Sequence, residues 1–387
     1  MKIFLCKQHR ITLLVFVVSL LIGQAEAFSQ INKDPEIVNI IYTSDAHYGI
    51  NRGNFRGHKN VSGHMVNEAL INEINKIIGL TLPTDGGVGE GSLVKGIDYL
   101  IQGGDIANRM EGRIQKASVS WREFEDDYIK GLRLKNSQGA KTGLFVVPGN
   151  HDISNAIGHN KIPNQKTDPT AFVGIYNLMM KPALPLTNES FNHNSDKVNY
   201  VKNIGGIHFV FINLWPDSAE RIWLKQDLDP LPAKTPVIIF THDQPTGEAK
   251  HFKGAGEEFE NLLEENYKDL KNAAEEHLTT DREQAGWEDF LVKYPNIKAY
   301  FHGNSNWNEF YIYQGPNKKA NLNVFRVDSP MKGKYSSKDE KLLSFQLISL
   351  DPKNKRLTVR ECLWNFTPKK PNGIVFGESK TIFLDVN

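Results

Sequence analysis

The chain is 387 residues long, 40% hydrophobic and 24% charged, the composition of a folded globular protein rather than a disordered one. Its 46 Lys and Arg against 45 Asp and Glu leave a formal charge of +1, so no net field selects nucleic acid or an acidic membrane as partner. The two cysteines, Cys6 and Cys362, exclude a disulfide scaffold and a thiolate zinc site, so any metal must sit on His, Asp, Glu or Asn.

Lys2, Lys7 and Arg10 precede an apolar run, Ile11 to Ile22, that is too short to span a bilayer and ends in the small-x-small pattern Ala25-Glu26-Ala27. This predicts a secretory signal peptide over 1–27, export to periplasm or medium, and a single domain over 28–387; an uncleaved anchor is the alternative. Cys6 lies ahead of the apolar run, so it is not the lipid-bearing cysteine of a lipoprotein and leaves with the leader. Loss of Lys2, Lys7, Arg10 and Glu26 shifts the formal charge from +1 to −1. With Cys362 alone, stability must come from core burial.

Short apolar runs then alternate with amphipathic stretches, the pattern of a layered α/β or α+β domain. Ile37 to Thr43 predicts a buried strand that stops at Ser44-Asp45-Ala46-His47. Val66, Leu70, Ile74 and Ile77 recur at helical spacing after Ser62, a predicted N-cap. Gly86 to Gly91 lacks phosphate-loop spacing and reads as a surface loop. A second strand, Tyr99 to Gln102, ends at Gly103-Gly104-Asp105. Trp121, Phe124, Tyr128 and Leu132 form a helical stripe whose acidic neighbours Glu123, Glu125, Asp126 and Asp127 read as its solvated side. A third strand, Gly143 to Val147, runs into Pro148-Gly149-Asn150-His151-Asp152. From Asp152 to Tyr200 a long loop with one helix around Phe172 to Met180 is predicted. Ile207 to Leu214 and Pro236 to Phe240 are strands, the latter ending at Thr241-His242-Asp243, with a helix over Arg221 to Leu228 between them. Phe259 to Ala274 marks an acidic amphipathic helix. Ile297 to Phe301 is a strand ending at His302-Gly303-Asn304-Ser305-Asn306, and 342–362 reads as a hairpin turning at Asp351-Pro352-Lys353-Asn354.

Five strand ends thus carry residues able to bind metal or phosphate, in the loops where layered α/β folds build sites. One Gly-Asp or Thr-His alone is a turn; five in this order are specific. Over roughly Ile37 to Asn308 the chain resembles the calcineurin-like metallophosphoesterase superfamily, whose blocks run D-x-H, G-D-x-x, G-N-H-D/E, H and G-H-x-H. They stand here as Asp45-Ala46-His47, Gly104-Asp105-Ile106-Ala107, Gly149-Asn150-His151-Asp152, His242 and Gly303-Asn304-Ser305-Asn306. The resemblance implies a four-layer αββα sandwich of two mixed sheets flanked by helices, with hairpin 342–362 completing the second sheet.

It also implies a metal-dependent phosphoesterase, exported here, that hydrolyses a phosphomonoester or phosphodiester with water activated by up to two divalent ions. Asp105 would bridge the metals, Asp45 and His47 would hold the first, and Asn150 and His242 the second. His151 would donate at the leaving oxygen, with Asp152 orienting it, and Asn150 and His151 would meet substrate. Asn304 and Asn306 replace both histidines of the fifth block. An amide oxygen can still ligate, but the exchange favours Mn or another hard ion over zinc. The alternative is a catalytically degenerate phosphoester-binding protein. Asn108 stands where the purple acid phosphatases carry their iron-binding Tyr, which excludes an Fe(III)-tyrosinate site. His302, His58 and His64 are weighed as substitute ligands, Arg52, Arg56 and Lys59 as a basic loop able to meet substrate anions, and Trp215-Pro216 as a pocket floor or core cap. The expected partner is a small phosphoester, with no nucleic acid, no membrane after leader cleavage, and no inferable protein partner.

Overall fold

The computed structural model describes residues 37–108, 115–153, 168–192, 195–247, 273–368 and 373–386. The predicted leader and nearly all of the helix predicted over Phe259 to Ala274 lie outside them. The strands are β1 (Val38–Thr43), β2 (Asn51–Phe55), β3 (His58–Ser62), β4 (Tyr99–Gln102), β5 (Gly143–Val146), β6 (Tyr200–Ile204) and β7 (Ile207–Phe211). They continue as β8 (Val237–Phe240), β9 (Ile297–His302), β10 (Glu309–Tyr313), β11 (Leu322–Arg326), β12 (Ser344–Asp351), β13 (Arg356–Leu363) and β14 (Val375–Phe383). The helices are α1 (Gly63–Ile74), α2 (Ala117–Phe124), α3 (Asn150–Ile153), α4 (Thr170–Met180), α5 (Ser218–Leu228) and α6 (Ala273–Lys293).

Two six-stranded sheets carry the fold, ordered β14-β13-β12-β1-β4-β5 and β10-β11-β9-β8-β7-β6. Both are mixed: β1, β4 and β5 run parallel, as do β7, β8, β9 and β11, while the outer strands are antiparallel. Period-two alternation sorts the side chains. Val38, Ile40 and Tyr42 of β1 join Phe209, Phe211, Phe240 and Phe301 in a core between the sheets, whereas Ile41, Val210 and Ile239 join helix residues such as Leu70, Leu224 and Trp287. Aromatic rings stack at the centre of an otherwise aliphatic inter-sheet core. Phe240 stacks on Phe301 at 4.6 Å and Phe211 at 5.3 Å, and Tyr200 on Phe211 at 4.6 Å, each pair adding about 0.5–1.5 kcal/mol beyond its buried area.

Local chemistry sets the helix starts, at the predicted Ser62 for α1 and at Asp217, ahead of the start predicted at Arg221, for α5. Ser62 caps α1 by accepting from the Met65 N–H at 3.4 Å, and Asp217 caps α5 by accepting from Glu220 N–H at 3.0 Å. Several expectations need correction. The hairpin of β12 and β13 pairs on β1, in the sheet of the first three motifs, because β1 leaves its other edge open to β12; β14 extends it. The second sheet is instead completed by β6, β10 and β11, short strands whose pattern the loop-rich sequence hides. The basic loop after the first motif is the hairpin β2-β3. Asp127 is not solvated: after α2 the helix widens into a π-helical turn over Glu125–Lys130, which turns Asp127 inward to accept from Tyr48 Oη at 2.6 Å. Among the described residues, no helix is long and apolar enough to cross a membrane.

Candidate metal centre

The C-terminal ends of β1, β4 and β5 in one sheet and of β8 and β9 in the other deliver all five motifs to one place. Backbone bonds continue past the strands and fix the loops. Asp45 N–H donates to Gly104 O at 2.9 Å, His47 N–H to Asp105 O at 2.9 Å, and Gly303 N–H to His242 O at 3.0 Å. Asp45, His47 and Asp105 take positive φ of 56°, 43° and 56°, and Asn304 and Asn306 take 58° and 65°. Such left-handed non-glycine residues are held only where their surroundings over-determine them. Gly149 and Gly303 leave the space: a Cβ at Gly149 would collide with Asp105, and one at Gly303 with Ser44 and Asp45.

Asp105 is the focus. Its Oδ1 accepts the His151 backbone N–H at 2.8 Å, while its Oδ2 lies 3.3 Å from His242 Nε2, 3.6 Å from His47 Nε2 and 3.8 Å from His151 Nε2. Asp45 Oδ1 stands 3.4 Å from His47 Nε2, and its Oδ2 accepts from Asn304 N–H at 3.0 Å. Two ligand triplets result, His47/Asp105/His151 and Asp45/Asp105/His242, with donor atoms within 4.8 Å of one another and Asp105 common to both. That sharing is what a bridging carboxylate requires.

His242 Nδ1 lies 2.7 Å from the Gly103 carbonyl, which can only accept, so Nδ1 carries the hydrogen and Nε2 turns a lone pair toward Asp105. A proton or a metal must stand between these two lone-pair atoms. Without a metal, burial is outweighed by Asp105 and Asp45, and His242 is pushed up to about 10. Burial would raise Asp105, yet His242 and His151 hold it well below the usual carboxylate range. The buried atoms Asp45 Oδ1 and His47 Nε2 have no hydrogen-bond partner. Leaving each orphaned costs about 1–3 kcal/mol, a cost that divalent cations held by these residues would remove. The residues present therefore fit a metal pair.

His151 and Asp152 differ from expectation. The Asp152 carboxylate accepts backbone N–H groups of Gly149 at 2.9 Å, Ala107 at 2.9 Å and Ile106 at 3.2 Å, tying the second motif loop to the third. It makes no bond to the His151 ring, so the expected orientation of that ring by Asp152 is not seen, and its bonds go to loop backbone instead. Burial and the charge of Asp105 push it to about 7. His151 Nδ1 instead meets the Asn108 carbonyl, and burial keeps the ring well below the ordinary imidazole range. Neutral and protonated on Nδ1, it presents a lone pair on Nε2, 3.5 Å from Lys332 Nζ.

Asn150 is buried at the start of α3, one residue before His151. Asn304 reaches the cluster by its backbone, and its side-chain NH2 donates to Asp243 Oδ1 at 2.6 Å and Gln244 Oε1 at 3.3 Å. The Asn306 NH2 donates to Asn304 O, and its Oδ1 is buried without a hydrogen bond. None of the substitute ligands joins the centre. His302 spends its ring nitrogens on Gly303 O and Tyr311 Oη, His58 is exposed, and His64 faces Asp127 at 3.4 Å. Arg52 and Arg56 turn inward, the first to carbonyls of Pro330 and Ser336, the second to Asn365 and Glu73. Trp215 is fully buried with Nε1 on Pro245 O at 3.2 Å, so it caps core rather than flooring a pocket.

A family model described as calcineurin-like phosphoesterase matches residues 38–304. The chain belongs to the calcineurin-like phosphoesterase family. Among solved structures, the chain of PhoD is 10% identical, with 91% of this chain and 70% of that one covered and a TM-score of 0.47. A dimetal phosphatase from Danio rerio is 10% identical over 90% of this chain and 99% of that one, with a TM-score of 0.46. The phosphopantetheinyl hydrolase of Mycobacterium tuberculosis is 14% identical over 76% and 91%, with a TM-score of 0.34. No curated protein sequence matches the chain.

The residues that the motifs missed sit on the segment after β11. Ser329 Oγ donates to Asp45 O at 2.9 Å and accepts from Lys332 N–H at 2.9 Å, which brings Lys332 beside His151. Because β11 runs parallel to β9, its end belongs with the other motif loops; recognising it as a strand would have flagged them.

Proposed function

We propose that this phosphoesterase is an exported, metal-dependent enzyme that hydrolyses a small phosphomonoester or phosphodiester with water. The observation that carries this reading is the pair of ligand triplets sharing Asp105, in which Asp45 Oδ1 and His47 Nε2 are buried without a hydrogen bond. Export is supported by the apolar run Ile11 to Ile22 followed by Ala25-Glu26-Ala27.

The family pattern would put one ion on Asp45 and His47 and the other on Asn150 and His242 with Asp105 between them, whereas the donor atoms themselves group His47 with His151 and Asp45 with His242 around Asp105. Divalent ions there neutralise phosphoryl charge and lower the pKa of water. The chain's own residues do the rest. Gly103 O fixes the His242 tautomer, Asn304 N–H fixes Asp45, and Asp152 locks the Gly149 loop against Ile106 and Ala107. His151 lines the phosphoryl side with its Nε2. With imidazole lost at positions 304 and 306, the donor set favours Mn or another hard ion.

Metal analysis of the purified chain, followed by assays of 4-nitrophenyl phosphate and bis(4-nitrophenyl) phosphate with Mn, Mg, Ca or Zn, tests the proposal. Two ions per chain and turnover fastest with Mn are expected. Fewer than one ion per chain and no turnover of either ester would overturn it. A second reading, phosphoester binding without turnover, draws on the engagement of the Asn304 amide by Asp243 and Gln244. It would be supported by phosphate binding in a chain that hydrolyses neither ester.

A further inference from the structure

Lys332 comes from a segment outside the five motifs, yet the fold positions it as firmly as a motif residue. Its backbone N–H and that of Met331 donate to Ser329 Oγ at 2.9 and 3.2 Å, and the same hydroxyl donates to Asp45 O at 2.9 Å. Arg52, 2% exposed, donates to Pro330 O at 2.7 Å and to Ser336 O, closing both ends of the turn. Gly333 lets the turn close, since a Cβ there would strike Ser336 and Asp328. The Lys332 backbone is thereby tied to the first metal-ligating residue, and its Nζ stands 3.5 Å from His151 Nε2.

Two chemical facts follow. His151 in this tautomer offers a lone pair at Nε2, so beside it the hydrogen-bond donor is the ammonium of Lys332. The exchange of imidazole for amide at Asn304 and Asn306 leaves the formal charge of the ligand set unchanged, whereas Lys332 adds one positive charge. A phosphomonoester carries close to two negative charges near neutral pH, and a diester carries one. An additional fixed cation therefore discriminates between them by charge.

We propose that Lys332 binds the phosphoryl group at this centre and biases it toward dianionic phosphomonoesters over monoanionic diesters. The substrate preference rests on the phosphoesterase reading above; the anion contact does not. The ammonium donates to a non-bridging phosphoryl oxygen, and the Ser329 and Arg52 anchors hold the backbone from which it reaches.

The test uses the full chain loaded with Mn, as wild type, Lys332→Met, Lys332→Gln and Lys332→Arg, with thermal melts as the folding control. Titration calorimetry with inorganic phosphate is expected to show binding weakened about tenfold or more in the Met and Gln variants and largely restored in the Arg variant. The ratio of kcat/KM for 4-nitrophenyl phosphate to that for bis(4-nitrophenyl) phosphate should fall about tenfold or more in the uncharged variants, a change a merely structural loop would not produce. Equal phosphate affinity in wild type and a folded uncharged variant, or no phosphate binding by wild type, overturns the anion contact. An unchanged ratio in a variant that has lost phosphate affinity overturns the monoester preference. If wild type hydrolyses neither ester, the phosphoesterase reading falls and calorimetry alone decides for or against Lys332.

Discussion

The backbone N–H of Asn304 donates to Asp45 Oδ2 at 3.0 Å, so the fifth motif grips the first through a bond that does not depend on its side chain. The side chain at 304 is thus free to vary without releasing Asp45. Its NH2 has been taken up by Asp243 and Gln244, the two residues after His242. Position 304 thus carries an amide where the family has imidazole, on a backbone frame still tied to Asp45.

Restoring imidazole tests that frame. The double variant Asn304→His/Asn306→His keeps the backbone bond to Asp45 and adds two soft nitrogen donors at the centre. Zinc affinity should rise by about 10–100-fold while Mn affinity changes little. Competition with a chelator of known zinc affinity measures it. Unchanged zinc affinity in the folded variant would show that neither position faces the ions.

Asp152 and His151 adjoin in sequence and should separate in experiment. Asp152→Asn places an NH2 where a carboxylate oxygen received backbone N–H groups, and should cost about 2–3 kcal/mol in urea unfolding. The shape of its pH–rate profile should be unchanged. His151→Gln, which gives up the buried ring's contact with the Asn108 carbonyl, should cost about 1 kcal/mol and lower kcat by about a hundredfold. A large fall in kcat with intact stability for Asp152→Asn would return that carboxylate to the chemistry.

The motif residues were legible because strand ends and short polar blocks are local signals. Asp45, His47, Asp105 and His242 could be placed without coordinates, and the buried strands that carry them read as unbroken apolar runs. What escaped was whatever depends on partners distant in the chain. Arg52 reads as a solvated cation until Pro330 and Ser336 meet it, 278 and 284 residues later in the chain. Asp127 reads as the wet side of a helix until a π-helical turn rotates it to Tyr48. Asp152 sits beside His151 in sequence, but its oxygens face the backbone of another loop. The hairpin of β12 and β13 was visible as a hairpin; which sheet accepts it is set by the open edge of β1.

Gly149 joins packing directly to the site. Its missing Cβ leaves room for Asp105, whose carboxylate and backbone would both be struck by an alanine there. Gly149→Ala should destabilise the protein by about 1–3 kcal/mol and shift Asp105 off both triplets. Metal content should therefore fall below that of Gly91→Ala, a site with positive φ but nothing within 4 Å, which isolates backbone strain from collision. Equal metal content in the two variants would show that the Asp105 loop gives way without losing its ligands.

Glu220 gives the chain a pH dependence separate from the metal centre. It is buried, accepts from Asn199 Nδ2 at 2.7 Å, and is pushed to about 7 chiefly by burial, against the opposing pull of Lys197 and Asn199. In the unfolded chain a Glu titrates near 4.3, so the folded protein holds this proton more tightly. The stability it contributes is full below about pH 4.3 and is lost as pH rises through about 7. Glu220→Gln keeps an acceptor for Asn199 and removes the titration. Its advantage over wild type in unfolding free energy should therefore grow by roughly 3 kcal/mol between about pH 5 and 8, then level off. Urea melts of both proteins at intervals across that range measure it, and an advantage that stays constant with pH would show that Glu220 is ionised in the folded protein throughout.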